Sequence, residues 1–204
     1  MVRRHGPRHL ANGEIIYGTS WENWDFGMLY WVNNGANTEK PKWVGEDVRE
    51  VWEETMKNSD GTEYTTHLVN GLICQAQLTK ISPNGKWIAS SYRTETPAED
   101  RLSIVTTQTA AFYNTETETT TIVSDYGESV GVHVTDDGIG FIGIGTLGIS
   151  SGAVYDLNTG TDLGSTQDWV YDNYGIIIPA GYINYVSADG RFVLGTKPNL
   201  RQVG

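Results

Sequence analysis

The sequence predicts an all-β protein built from a repeated unit of four antiparallel strands. An Asn-Gly or Asp-Gly dipeptide followed by an apolar strand occurs four times, with its glycine at Gly13, Gly85, Gly138 and Gly190. The last three glycines follow one another at intervals of about 50 residues, a spacing typical of repeat architectures. Composition agrees, because 24 glycines and only 19% charged residues favour short strands and turns over helices.

Each Asx-Gly dipeptide predicts a tight two-residue hairpin. Both central residues of such a turn need a positive φ angle, which glycine adopts freely and Asn or Asp tolerate. The preceding residues supply the first strand, as in 78–82, 130–135 and 182–187, and the following apolar residues supply the second. The first half of the repeat is therefore a hairpin.

The second half of the repeat is an aromatic strand followed by a turn and a fourth strand. Tyr30, Tyr113 and Tyr155 mark the aromatic strand. In the second unit, the polar residues 93–101 precede this strand and predict a longer surface loop. The predicted units cover residues 10–72, 73–125, 126–180 and 181–204, and the last of them is incomplete.

One segment departs from the repeat. Val48, Val51, Trp52 and Met56 have the spacing i, i+3, i+4 and i+8 of an amphipathic helix. We therefore expect a short helical insertion at residues 46–57 of the first unit.

Two segments carry a family resemblance, namely SPNGK at residues 82–86 and YDLNTG at residues 155–160. The chain resembles the WD-repeat-like units of TolB-type β-propellers over most of its length. The resemblance implies a single propeller-type domain with about three complete four-stranded blades and a terminal hairpin. It also favours a secreted, periplasmic or cell-surface protein, although the chain has no signal-peptide pattern. Many functions share this fold, so the resemblance implies no chemistry.

Closure of the ring is a further expectation. Closed propellers typically have about four to eight blades, and the repeat count predicts fewer. We expect the ring to close through remaining blades or through self-association.

Charge and hydropathy exclude some functions. The net charge of −11 and the pI of about 4.7 oppose binding to DNA or RNA. The sequence has no apolar run long enough for a membrane-spanning helix. The lone cysteine, Cys74, lies in an apolar run and is interpreted as a core residue.

A candidate ligand-binding surface follows from the resemblance, which places two sets of loops on one face of the disc. These are the loops between the second and third strands and those that lead into the next unit. Tryptophan and tyrosine stack on sugars or peptides, and nearby carboxylates fix polar groups. The alternative is that these aromatic residues pack between blades or cover the helical insertion. The candidate residues are Trp21, Trp24, Asp125, Tyr126, Glu128, Trp169 and Tyr171.

Cofactor motifs are weak in this sequence. Asp156, Asn158 and Asp162 alternate like the first half of a calcium loop, but the closing glutamate is missing and an ordinary hairpin turn is the favoured interpretation. GIGTLG at residues 143–148 spells a dinucleotide-binding pattern, yet a loop and a strand follow it instead of a helix. We predict no cofactor and no catalytic residue.

Three functional hypotheses remain at the level of sequence. The first is a non-catalytic propeller module that binds protein or glycan through its loop face, as part of a larger secreted or periplasmic protein. The second is a glycan-active hydrolase or lyase of propeller fold, because carboxylate separation cannot be judged from sequence. The third is a purely structural segment.

Overall fold

A computed structural model describes residues 8–9, 15–16, 20–22, 25–30, 42–73, 80–145, 150–179, 181–187 and 193–196. Side chains are described from Trp43 onward within these ranges, except at 184 and 196. The described part consists mostly of antiparallel strands with one α-helix, which confirms the all-β class.

The elements run in the following order along the chain. The early strands are β1 (Arg8–His9), β2 (Ile15–Ile16), β3 (Ser20–Glu22), β4 (Asp25–Tyr30) and β5 (Lys42–Val44). The middle strands are β6 (Glu50–Lys57), β7 (Glu63–Ile73), β8 (Lys80–Ile81), β9 (Trp87–Pro97), β10 (Ile104–Asn114) and β11 (Thr119–Val123). The remaining elements are β12 (Ser129–Val134), β13 (Ile139–Ile144), β14 (Ser151–Asp156), β15 (Thr161–Ser165), α1 (Thr166–Tyr174), β16 (Tyr182–Val186) and β17 (Val193–Thr196).

These strands form three sheets and two hairpins, all antiparallel. Sheet 1 has the order β3-β4-β5, and sheet 3 has the order β12-β13-β14-β15. Sheet 2 has the order β11-β10-β9-β7-β6, with β8 also paired to β9. The first hairpin is β1–β2, and the terminal hairpin is β16–β17. No sheet of the described residues closes on itself.

All four Asx-Gly positions lie between antiparallel partner strands. The pairs are β1–β2, β8–β9, β12–β13 and β16–β17, which confirms the four predicted hairpins. Gly13 and Gly190 themselves fall outside the described residues.

The predicted two-residue turn geometry is wrong at the two described turns. Gly85 and Gly138 have φ angles of 79° and 85°, whereas Asn84 and Asp137 do not have a positive φ. The N–H of Gly138 donates to the Thr135 carbonyl over 3.2 Å, so the left-handed glycine is the last residue of a four-residue turn. This is the longer hairpin type, in which only the last loop residue needs a positive φ.

A hydroxyl at the start of each turn explains this geometry. The Ser82 hydroxyl donates to Asn84 Oδ1 over 2.8 Å and accepts the N–H of Trp87 over 3.0 Å. The Thr135 hydroxyl donates to the Asp137 carboxylate and accepts the N–H of Ile139. These side-chain bonds hold both turns, although the loop after Ser82 is one residue longer than the loop after Thr135.

The predicted helix at residues 46–57 is also wrong. Only Glu46–Val48 forms a 3₁₀ turn, and β6 follows it in continuous register with β7. The inward-facing residues of β6 are Trp52, Glu54 and Met56, which alternate as in a strand. The charged residue Glu54 stands at an inward-facing position, so the alternation cannot be recognised from hydropathy in the sequence. Its carboxylate is paired with Arg101 over 2.9 Å.

The predicted surface loop at residues 93–101 is mostly strand. β9 continues to Pro97 and pairs with β10 from Ile104, so the extra residues lengthen a hairpin. Its tip joins β6, where the Arg101 carbonyl accepts the N–H of Lys57 over 2.9 Å. We call this extension, together with the β6–β7 hairpin, the arm.

Each hydrophobic core is shared by two successive sheets. Val44 of sheet 1 packs with Leu72, Ile88 and Tyr113 of sheet 2. The second core joins sheets 2 and 3 and contains Trp87, Ala89, Ala110, Phe112, Val123, Val134, Ile142, Ala153 and Leu157. The third joins sheet 3, α1 and the terminal hairpin and contains Val132, Phe141, Val154, Val170, Ile183 and Val186. The sheets therefore stack face to face in chain order.

Candidate functional site

The strand order places several connections at one end of the stack. In an up-and-down sheet of four strands, the link between strands two and three and the link to the next sheet lie at the same end. Residues 124–128 link β11 to β12, and α1 links β15 to β16. The Glu128 carbonyl accepts the N–H of Gly145, which follows β13, over 3.0 Å. We call this end the loop face.

The predicted ligand-binding residues fall into different surroundings. Trp21 lies on β3, Trp24 falls outside the described residues, and the side chains of both are outside the described part. Asp125 is exposed in the 3₁₀ turn Ser124–Tyr126. Glu128 is half-buried, and its carboxylate accepts the N–H of Gln108 over 3.3 Å.

Tyr126 belongs to the packing between sheets 2 and 3. Its ring lies against the core that these sheets share, beside Tyr155. Burial, and next the carboxylate of Asp162, raise the pKa of the Tyr126 phenol well above its ordinary value. The phenol therefore stays protonated and acts as a packing group here.

Helix α1 carries the other two predicted residues. Ser165 caps the helix, because its hydroxyl accepts the N–H of Asp168 over 3.1 Å and donates to the Asp168 carboxylate over 2.6 Å. Thr166 and Val170 are buried against sheet 3. Trp169 is half-buried and meets Phe141 edge-on with ring centroids 5.1 Å apart. The helix is thus anchored on its inner side.

The outer side of α1 and the segment after it expose large apolar side chains. Tyr171 is 56% exposed and Tyr174 is partly exposed. Gly175 ends the helix with a φ of 66°, and the chain then presents Ile176 at 56% and Ile177 at 87% exposure. Scattered exposed apolar residues are ordinary, whereas several of them in one short segment make a candidate interaction surface.

Two carboxylates lie on the same helix as this group, and no lysine or arginine is near them in sequence. Asp168 and Asp172 lie one helical turn apart on the outer side of α1 and are exposed. From Leu102 to Gly190 the chain contains neither lysine nor arginine, while it contains eleven acidic residues. These are Glu116, Glu118, Asp125, Glu128, Asp136, Asp137, Asp156, Asp162, Asp168, Asp172 and Asp189.

Sequence reasoning missed Ile176 and Ile177 as surface residues. The cap pattern of Ser165 and Asp168 followed by Gly175 is the signal that predicts a helix ending there. The Ile-Ile pair beyond Gly175 could then have been recognised as lying outside the helix.

The weak calcium candidates act as turn residues. Asp156 Oδ1 accepts the N–H of Asn158 over 2.9 Å, and Asp162 Oδ1 accepts the N–H of Gly164 over 2.7 Å. Hydrogen bonds from Thr159 and Asn158 hold the pKa of Asp156 below its ordinary value. In the described ranges, His, Cys, Asp and Glu side chains form no group of three or more suited to a metal ion.

One histidine is buried between sheet 3 and the terminal hairpin. His133 is 2% exposed, and its ring lies 5.8 Å from the Phe141 ring and 5.3 Å from the Tyr185 ring, measured between centroids. Burial lowers its pKa to about 4, and the Lys80 ammonium acts in the same direction. The backbone of Val186 opposes this shift only in part. The imidazole is therefore neutral at physiological pH.

The described residues define an all-β protein of face-to-face antiparallel sheets with one capped helix at the loop face. No family model, curated protein or solved structure matches the chain. In the part of the chain that the structure describes, no helix has the length and apolar character needed to cross a membrane.

Proposed function

We propose that this chain is a non-catalytic module of β-propeller type that binds a protein partner through its loop face. The exposed group of Tyr171, Tyr174, Ile176 and Ile177 is the observation that carries the proposal. The propeller itself is supported by the stacking of successive antiparallel sheets through shared cores.

A protein is favoured over a glycan as the ligand because of the two isoleucines. Sugars stack on planar aromatic rings, whereas branched aliphatic side chains match apolar pockets of a polypeptide. Tyr171 and Tyr174 alone fit either ligand. Ile177, which is 87% exposed, fits only a protein ligand.

The surface is also held in place before binding. The Ser165 cap, the buried Val170 and the edge-on contact of Trp169 with Phe141 fix the helix against sheet 3. Fixing the binding conformation in advance reduces the entropy lost on association. The helix therefore presents Tyr171 at little further ordering cost.

A selection from a random peptide display library tests the proposal. We expect enriched peptides that bind the wild-type chain and lose binding to Tyr171→Ala and to Ile177→Ser. Tyr64→Ala and Ile122→Ser alter the same residue types, exposed elsewhere on sheet 2, and should bind like the wild type. The proposal is contradicted if the enriched peptides bind both loop-face variants as well as they bind the wild type. It is also contradicted if no peptide is enriched and the two variants abolish binding to a glycan array.

A further inference from the structure

The charge around the apolar group points to the kind of polypeptide that occupies it. We propose that the α1 surface, formed by Asp168, Tyr171, Asp172, Tyr174, Ile176 and Ile177, binds a basic amphipathic segment in which apolar residues are flanked by Lys or Arg. This inference rests on the proposed protein-binding function and specifies the partner.

The exposed apolar side chains of the α1 surface require apolar residues in the partner. Tyr171, Ile176 and Ile177 each leave about half or more of their side chain in water. Burying the exposed part of these side chains in an interface is favourable, and the gain is offset in part by the costs of association. A partner must therefore bring apolar side chains to this surface.

The two carboxylates of the α1 surface favour a partner with positive charge. Asp168 and Asp172 lie one turn apart on the outer side of the helix. The whole stretch that builds sheet 3 and α1 lacks lysine and arginine, so no cation in this stretch offsets these carboxylates. An interface favours a partner of opposite potential, which steers the encounter and rejects acidic competitors.

The same charge argues against a second copy of this chain meeting the surface face to face. Such a contact would place the Asp168 and Asp172 pairs of two copies against one another, and like charges across an interface repel. The occupant is therefore a different polypeptide.

Three synthetic peptides with the same apolar residues test the inference. The flanking residues are Lys and Arg in the cationic peptide, Gln and Ser in the neutral peptide, and Glu in the acidic peptide. We expect the cationic peptide to bind with the highest affinity by fluorescence anisotropy, and its Kd to rise with salt concentration because these charges are exposed. Asp172→Lys should weaken its binding roughly threefold to tenfold. This variant is compatible with folding, since a cation is favourable in the last turn of a helix. Glu63→Lys makes the same charge change at an exposed site on β7 and should leave the Kd unchanged.

The outcomes separate the inference from the proposed function. If the neutral peptide binds as tightly as the cationic one, or if Asp172→Lys has no effect, the inference fails and the protein-binding surface stands. If none of the three peptides binds, both fail. Self-association of the wild-type chain that Ile177→Ser abolishes would replace the inferred partner with a second copy.

Discussion

At the scale of single residues, two matching turns differ at one left-handed position. Asn114 and Asp156 each accept backbone N–H groups of the turn that follows them. Four residues after each of these side chains, the chain adopts a positive φ, which is 70° at Gly160 and 56° at Glu118. A side chain in this conformation costs roughly 1–2 kcal/mol.

Glu118→Gly should therefore stabilise the protein. We expect a net gain of about 0.5 kcal/mol, because relief of strain exceeds the larger entropy loss of glycine on folding. Chemical denaturation measures the free energy of unfolding. The reverse exchange in the matching turn, Gly160→Glu, should destabilise by about 1 kcal/mol. Equal effects of the same sign from both variants would contradict this account.

His133 should make stability depend on pH. Its pKa is about 4 in the folded chain against an ordinary 6.5. The unfolded chain therefore binds more protons between these values. The stabilisation is complete above pH 6.5 and is lost as the pH falls towards 4, by at most about 3 kcal/mol. Denaturation of the wild type and of His133→Phe over this range should show a shallower slope for the variant, and identical slopes would refute the assignment.

At the scale of elements, two side chains replace backbone pairing in the arm. β7 pairs with β9 through Gly71, Leu72 and Ile73. Beyond this point Glu95, which is 8% exposed, accepts the N–H of Val69 over 3.0 Å and pairs with Arg93 over 2.6 Å. The N–H of Glu95 donates to Asn70 Oδ1 over 2.9 Å. Glu95 and Asn70 thus join the strands where the ladder stops.

Glu95→Ala should weaken the arm. It removes the acceptor of a buried N–H and leaves the Arg93 guanidinium without this carboxylate, which together should cost about 2 kcal/mol once the partial exposure of Arg93 is considered. In hydrogen-exchange measurements, the Val69 amide should exchange faster in this variant than in the wild type. Glu99→Ala removes an exposed carboxylate from the adjacent turn and should change stability by less than about 0.5 kcal/mol. Equal losses in both variants would show that Glu95 has no special part.

The elements also show which parts of the fold the sequence could predict. The hairpins at Gly85 and Gly138 were predictable because their turn chemistry is local. β6 was not, because its state depends on pairing with β7 and on Arg101, which lies 47 residues beyond Glu54. Of the candidate site, Tyr171 was identified from its place in the repeat, and Ile177 was missed because its exposure depends on where α1 ends.

At the scale of the whole molecule, each sheet packs on its neighbours in chain order. Such arrays gain stability from units and from nearest-neighbour interfaces, so a defect at one interface affects the adjoining sheets first. Gly131 of β12 lies at the interface of sheets 2 and 3. A Cβ atom there would lie 2.7 Å from the Ser90 carbonyl oxygen and 2.9 Å from that of Ala111.

Gly131→Ala should therefore separate sheets 2 and 3. Because the obstructing atoms belong to the backbone, neither sheet can adapt by a side-chain rotation, and we expect a loss of about 2–3 kcal/mol. Thermal unfolding measures it. Gly71→Ala is the matched control, since a Cβ there meets the Arg49 side chain at an ordinary 3.6 Å. Equal melting temperatures for Gly131→Ala and wild type would contradict this packing.

The long stretch without lysine or arginine also affects how the chain can be cut and modified. Trypsin cleaves only after these two residues, so residues 102–191 leave a complete digest as one fragment even when the chain is unfolded. Enzymes that attach ubiquitin, acetyl or methyl groups to lysine find no acceptor in sheet 3 or α1. Regulation of the α1 surface by covalent modification would therefore have to use its hydroxyl groups, such as those of Tyr171 and Tyr174.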